Sequence, residues 1–594
     1  VCGFVIQILP DRPVDPTVFD SMVDSLAHRG PDDRGIAFFK DGQVAFGHRR
    51  LSIIDLSKAG RQPLTDVSGR YCIVYNGEIY NFKELRERLE GLGHEFHSQT
   101  DTEVVLNAYI RWGYDCLNML DGIFAFAIYD GMTGDIFLAR DRFGIKPLYY
   151  IHRQGELLAA SEPKALLLSG RLEKTIRKEA LADYLMFGYI SEDHGIWREL
   201  CKVPPGSWAL FTEGYLRVES FMPYTADKGK SPWPDIPITR EELEERFREA
   251  FLRTLKMQNI SDVEIGLFLS GGLDSSSVAL AQHLLGHPLR AFSVDFQDKP
   301  NNEIDSARQV ADSLGIELLV CNVSSSDMSR LKDMQLYFDE PFADTSMLPT
   351  HLISRFAREN GIKVALSGDG GDEIHGGYTW YGQCLDAIEN RGPAERQAWV
   401  RKRYCLYPYQ FYLADDQSDW FTPEFQEVLT TRRNAFFRHL DTKREDHLKA
   451  IQLLDVNTYL PSDILTKVDR ASMAAGLELR VPLLGNEVTD LILSSASEAY
   501  SSRGEPKRLL SHFLKGYIPE VIRKKPKQGF SIPLRPFLSS INYREYILDS
   551  GIKNFGLFTK GNLERTLATD FDKNATRHIL LYMLALWTET WLPS

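Results

Sequence analysis

A cysteine stands at position 2, in the opening VCGFVIQILP. As an N-terminal residue, Cys2 would carry a thiol and a free α-amine together, a nucleophile with its own base. The valine before it reads as the literal translation of a GTG start codon, so the expectation is that methionine begins the chain and that its removal exposes Cys2. A cysteine near a start says little until partners for it are found downstream. A second chemistry is written in LFLSGGLDSSSVAL, where an apolar run enters Ser270-Gly271-Gly272 and Leu273-Asp274-Ser275-Ser276 opens a helix. Glycines let a backbone approach an anion closely, and a helix start offers unpaired N–H groups and a positive dipole end. The Gly-Lys-Ser/Thr ending of a Walker loop is absent, so this is a phosphate cradle of another kind. Taken alone, Gly-Gly between strand and helix is equally a tight turn. A third stretch, Ser367-Gly368-Asp369-Gly370-Gly371-Asp372-Glu373, sets three carboxylates in a glycine loop after the apolar KVAL.

The elements that must position these residues change in kind along the chain. Up to residue 222, RYCIVYNGEIYN, GIFAFAIYD, DIFLARDRFG and LLAASEP read as strands parted by Gly, Asn and Asp turns. Helical stretches near 78–92 and 102–113 interrupt them, an α+β pattern. Alternation in GIFAFAIYD is weak, which predicts a strand covered on both faces. Residues 223–240, with YTADKGKSPWPDIPITR, read as a linker. After it Leu243, Phe247, Phe251 and Leu255 recur four apart, predicting an amphipathic helix. Strands then alternate with helices over 275–285, 303–314 and 347–360, predicting a parallel, doubly wound sheet with ligand-binding loops at its carboxyl ends. From about 376 onward the chain reads as mainly helical.

At 594 residues the chain is too long for one core. A net charge of −13 argues against a nucleic-acid partner. Neither an apolar run long enough to span a bilayer nor a basic-then-apolar leader is present, so no membrane partner is expected. The seven cysteines are scattered without a C-x-x-C, giving neither a zinc pattern nor a disulfide framework. The expectation is a reduced, cytoplasmic protein.

SGGLDSS resembles the pyrophosphate loop of ATP pyrophosphatases, which split ATP between the α- and β-phosphates to adenylate a substrate. Carboxylates beside a polyphosphate make sense with Mg2+ between them, and Asp274 and Asp372 are the candidate ligands. Cys2-Gly3, LAHRGPDD, GHRRLSIIDL, YNGEIYNF, TDTEVVL and ARDRFGIKPLYY look like the glutaminase domain of class II glutamine amidotransferases. SGGLDSS, SGDGGDE and LTKVDRASMAAGLELRVPLL resemble the synthetase domain of glutamine-hydrolysing asparagine synthetases. The motifs fall in order and span nearly the whole chain.

This resemblance implies an N-terminal nucleophile hydrolase sandwich (αββα) over 2–222, and over 241–594 an ATP-dependent synthetase-type domain with a doubly wound parallel sheet and a mainly helical end. Cys2 would attack the side-chain amide of glutamine, with Asn76 and Gly77 as the oxyanion hole. Arg50 would take the glutamine α-carboxylate and Glu78 and Asp101 its α-ammonium, with Leu51, Ser52, Ile53 and Ile54 also in the glutamine site. His48 and Arg49 read as packing or surface groups. Phe268, Leu269, Ser270, Gly271, Gly272, Asp274, Ser275 and Ser276, with Val294, Ser367 and Gly368, would hold ATP. Lys527 matches a catalytic lysine, although Lys524 and Lys525 lie beside it. The implied reaction makes asparagine from aspartate, ATP and glutamine, with ammonia passing through an internal tunnel near RDRFGIKPLYY and LSGRLEKTI, in a homodimer.

Two residues depart from the family pattern. Asp369 stands where many members have Glu, a residue thought to help activate the attacking amine, and Gly485 where Asp is usual. They put the acceptor in question: a sugar uronate or a secondary-metabolite acid is the alternative to aspartate. A binding protein that lost the chemistry is disfavoured because Cys2, Asn76 and the SGGLDS glycines are intact. A β-lactam-forming synthetase would need no glutaminase.

Overall fold

The computed structural model describes residues 2–222, 233–297, 303–388, 391–392, 395, 420–440, 444–525, 532 and 534–592. Val1, residues 223–232 of the expected linker and Lys527 lie outside the described residues.

The N-terminal region holds two six-stranded antiparallel sheets, one centred on Cys2–Ile8 and Val44–Arg50, the other on Tyr71–Ile79 and Gly122–Asp130. Strand side chains alternate between faces, and here both faces are apolar. Phe4, Ile6 and Ile8 meet Cys72, Val74, Ala125 and Ala127 between the sheets. Val5 points the other way, into the core shared with helix Pro16–Asp24, and Ile73, Tyr75, Phe124 and Phe126 cover helices Phe82–Glu90 and Asp101–Trp112. The result is the αββα sandwich, and the weak alternation of GIFAFAIYD reflects burial on both faces. One boundary differs from expectation: Glu78 and Ile79 belong to a strand, not a helix. Gly77 pairs with Phe124, and a Cβ there would lie 2.1 Å from the Ile123 carbonyl oxygen, so glycine is what allows the strands this close.

The C-terminal region is built on a five-stranded parallel sheet in the order Glu317–Val323, Arg290–Phe296, Ile265–Phe268, Val364–Leu366, Glu478–Arg480. Helix Arg240–Gln258, capped by Thr239, buries Leu243, Phe247, Phe251 and Leu255 completely. Helices Leu273–Leu284 and Ile304–Leu314 cover one face with it, and helix Met347–Glu359 covers the other. Ile265–Phe268 and Val364–Leu366 are neighbours, although a strand on each side continues the sheet in opposite directions. The loops after them therefore flank the topological switch point, where open α/β sheets bind ligands. Beyond it the described residues are mainly helical.

Candidate active sites

Cys2 begins the strand that pairs it with Arg50. Its backbone N–H donates to Asn76 Oδ1 at 3.0 Å, across from the second sheet, and its carbonyl accepts from Arg29 Nε at 3.0 Å. Asn76 is fully buried, and its Nδ2 has no hydrogen-bond partner among the described residues. A buried amide donor left open is costly unless something arrives to accept it. Beside it His48 Nε2 meets the Tyr75 carbonyl at 3.0 Å, and burial lowers the ring's pKa to about 3, so it stays neutral.

Arg50 is buried, with Nη1 donating to the Ser57 carbonyl at 3.0 Å and Nη2 to that of Ile54 at 3.2 Å. Leu51 and Ile53 pack against Val364 and Met473 of the C-terminal region, and the Ser52 N–H donates to Asp32 at 2.8 Å. Asp101 accepts from Tyr75 Oη at 2.7 Å and from the Ile79 N–H at 2.9 Å. Burial pushes Asp101 above the usual carboxylate range. Burial, then the charges of Asp101 and Glu478, pushes Glu78 much further. Acids crowded in a dry pocket favour a cation.

The second site is a cavity of about 1740 Å³ at the switch point, and its wall includes Phe268 to Ser275, Val294 and the loop Ser367 to Gly370. Gly271 takes φ +77°, and the Ser270 and Ser275 hydroxyls meet at 3.1 Å across the turn. Ser276, expected in the same cradle, is fully buried and is not on this wall. One residue along a helix is a rotation of about 100°, enough to turn its hydroxyl inward. Asp274 and Asp372 do converge, each with an oxygen 2.5 Å from Lys507 Nζ. A Cβ on Gly377 would lie 1.8 Å from Lys507 Cε, so glycine makes room for this lysine. No spacing in SSRGEPKRLL marks Lys507, and it is the residue the sequence reading missed. Asp369 lies 3.6 Å from Lys467 Nζ and accepts from Ser367 Oγ at 2.8 Å.

Buried charges join the two regions. Arg29, which holds the Cys2 carbonyl, grips both oxygens of Asp469 at 2.8 and 3.0 Å and Glu162 at 2.9 Å. Lys146, in the expected junction segment, reaches Asp469 at 3.2 Å. Against the upward push of burial, Arg29 and Lys146 hold Asp469 below the usual carboxylate range. Asp183, Asp193 and His194 lie close enough to hold a metal, but Arg432 forks into both carboxylates and fills that role. No helix among the described residues is long and apolar enough to cross a membrane.

An amidotransferase sandwich with a cysteine heading its central strand, joined to a parallel sheet with a glycine-loop cavity, defines an ATP-dependent, glutamine-hydrolysing ligase. Residues 1–222 match the family described as a glutamine amidotransferase domain, and residues 246–593 match asparagine synthase. The chain belongs to the glutamine-hydrolysing asparagine synthetase family. It is 32% identical over 574 residues to asparagine synthetase [glutamine-hydrolyzing] 1 of Bacillus subtilis, covering 91% of this chain and 88% of that one. Asparagine synthetase [glutamine-hydrolyzing] 3 of the same organism is 30% identical over 539 residues, with 86% and 83% covered. Amidase chry2 of Gibberella zeae is 27% identical over 602 residues, with 90% and 88% covered.

Proposed function

We propose that residues 2–222 hydrolyse glutamine and that residues 241–594 use the ammonia to amidate aspartate activated by ATP. Cys2 Sγ attacks the side-chain amide carbon of glutamine, a carbon–sulfur bond forms, and the amide nitrogen leaves as ammonia with a proton relayed by the α-amine that Cys2 carries once residue 1 is removed. Water then cleaves the thioester to glutamate. The observation that carries this reading is Asn76, which holds the Cys2 nitrogen with its oxygen while its buried Nδ2 stays open for an oxyanion. The Gly77 N–H is the second donor. Arg50, fixed by main-chain carbonyls, takes the α-carboxylate, and Glu78 and Asp101 take the α-ammonium.

In the second site the acceptor carboxylate attacks the α-phosphorus of ATP and pyrophosphate leaves. Ser270 to Ser275 and Lys507 hold the departing phosphates, with Lys527 assigned the same charge-stabilising task. Asp274 and Asp372, bridged in this structure by Lys507, would hold Mg2+ once Lys507 turns to the phosphates, and the ion when bound would neutralise phosphate charge. Asp369 takes the proton as ammonia attacks the adenylate, and AMP departs. Ammonia passes inside the protein between the sites, and two copies pair through their glutaminase regions.

A second acceptor, another small carboxylic acid, stays in view because Asp369 is one methylene shorter than the usual Glu. Gly485, the other departure, is not on the cavity wall: a Cβ there would lie 2.4 Å from Thr254 Cγ2, so glycine serves packing on helix Arg240–Gln258. Measuring AMP and asparagine with aspartate, ATP and either glutamine or ammonia decides the matter. Glutaminase activity without aspartate-dependent AMP would rule aspartate out.

A further inference from the structure

Arg480 touches both sites, and the reaction proposed above gives it no task. It is fully buried at the end of strand Glu478–Arg480, paired in parallel with Val364–Leu366. Its carbonyl accepts the Ser367 N–H at 2.9 Å, at the head of the loop that walls the nucleotide cavity. Its side chain runs into the other region. Nη2 lies 3.7 Å from Glu78 Oε2, Nε donates to Glu478 Oε1 at 2.6 Å, and Nη1 donates to the carbonyls of Gln258 and, at 3.0 Å, Ile260. The guanidinium also lies 5.5 Å from the centre of the Tyr80 ring.

These contacts fix Arg480 from several sides, so it moves only with its strand. Glu78 is thereby referred to the strand beside the nucleotide loop, although it belongs to the other region. A second contact runs the same way: Leu51 and Ile53, next to Arg50, pack on Val364. The charge arrangement around Glu78 completes the case. Glu78 and Glu478 both lie against the one guanidinium, and the charge of Asp101 opposes ionisation of Glu78, so a cation arriving beside these acids is favoured.

We infer that Arg480 is a positioning residue that couples the two sites: its guanidinium presents Glu78 to the α-ammonium of glutamine, and its main chain steadies the Ser367 loop against the nucleotide. This rests on the reading that Glu78 and Asp101 take that ammonium. Nucleotide that orders the loop fixes the strand, the strand fixes Arg480, and a carboxylate already in place binds the ammonium more tightly. Linkage makes the effect mutual, so glutamine tightens ATP by the same factor.

The test uses the full chain with Cys2→Ala, which cannot turn glutamine over. Calorimetry gives the glutamine Kd without and with saturating MgATP, and the ATP Kd without and with glutamine. Each ligand is expected to tighten the other by about fivefold, a typical coupling between sites. Adding Arg480→Lys, which keeps the buried charge but not the fork of donors, brings that factor to about one, as does Arg480→Gln. A residue that only held the fold together would shift both affinities and leave their mutual factor alone. An unchanged factor in the lysine variant, or no coupling in the Cys2→Ala parent, overturns the inference. The underlying reading is tested apart from it: Glu78→Gln and Asp101→Asn weaken glutamine binding without nucleotide. Unaltered binding there means that the ammonium sits elsewhere.

Discussion

Around the first site, Cys2, Arg50, Asn76, Glu78 and Asp101 stand on strands or on the first residue of a helix and are all buried. Around the nucleotide cavity, most of the assigned residues stand on two glycine loops and the helix starts that follow them, facing a space of about 1740 Å³. Sheet register fixes the first set before any ligand arrives, because a slip of one residue would turn a strand's side chains to the wrong face. The thioester and ammonia proposed for this site would need that dryness. The second set must admit and release a triphosphate, a carboxylate and their products, which suits loops at the ends of strands. Damage at the first site should thus appear as lost chemistry, and damage at the second as lost use of ATP whatever the nitrogen source.

The sharpest way to break this division is Cys2→Ala. Glutamine-dependent synthesis should fall below detection, while ammonia-dependent synthesis stays within about twofold, since the second site is built separately. Assaying both nitrogen sources on one preparation checks it, and equal loss of both would mean that the sites are not independent. Asn76→Ala tests the open donor: glutaminase kcat should drop by roughly 10² to 10³, the usual effect of removing one oxyanion donor, with ammonia-dependent synthesis kept. Lys507→Ala tests the other side. It leaves Asp274 and Asp372 facing each other without their shared cation, and synthesis from either nitrogen source should fall by about 10²-fold. Glutaminase activity without ATP should remain, and its loss in that variant would place Lys507 in the structure rather than the chemistry.

Much of this contrast was legible in the letters because both sites use local motifs. SGGLDSS and SGDGGDE follow apolar strands, and the weak alternation of GIFAFAIYD marks a strand covered on both faces. Three things escaped for physical reasons. Ile79, Phe82, Leu85 and Leu89 have helical spacing, which extends the expected helix back over Glu78, where the pairing of Gly77 with Phe124 overrides it. Ser276 belongs to the motif, but helix rotation buries it. Lys507 reaches Asp274 across 233 residues, and Arg29 reaches Asp469 across 440, contacts no single-sequence pattern encodes.

The smallest effect concerns the clasp between the regions. His194 Nδ1 lies 3.0 Å from Asp193 and its Nε2 3.3 Å from Asp183, while Arg432, from helix Pro423–Phe437, forks into both carboxylates. Burial opposes charge on His194, but the two carboxylates outweigh it and raise the ring's pKa. A raised folded-state pKa means that the contribution is complete below the ordinary histidine value of about 6.5 and is lost as pH rises through the raised value. Asp183 and Asp193 are held below the usual carboxylate range despite burial, so their part persists above about pH 4 and fades only in acid. Between these limits only the histidine titrates. His194→Gln should therefore lower the melting temperature by about 2 °C near pH 6 and by less as pH rises past the histidine's shifted pKa. Differential scanning calorimetry of both proteins across that range reads the difference, and a gap independent of pH would show that the imidazole stays neutral. Glutaminase kcat should not follow this profile, because Cys2 is positioned by strand pairing and Arg29 rather than by the clasp.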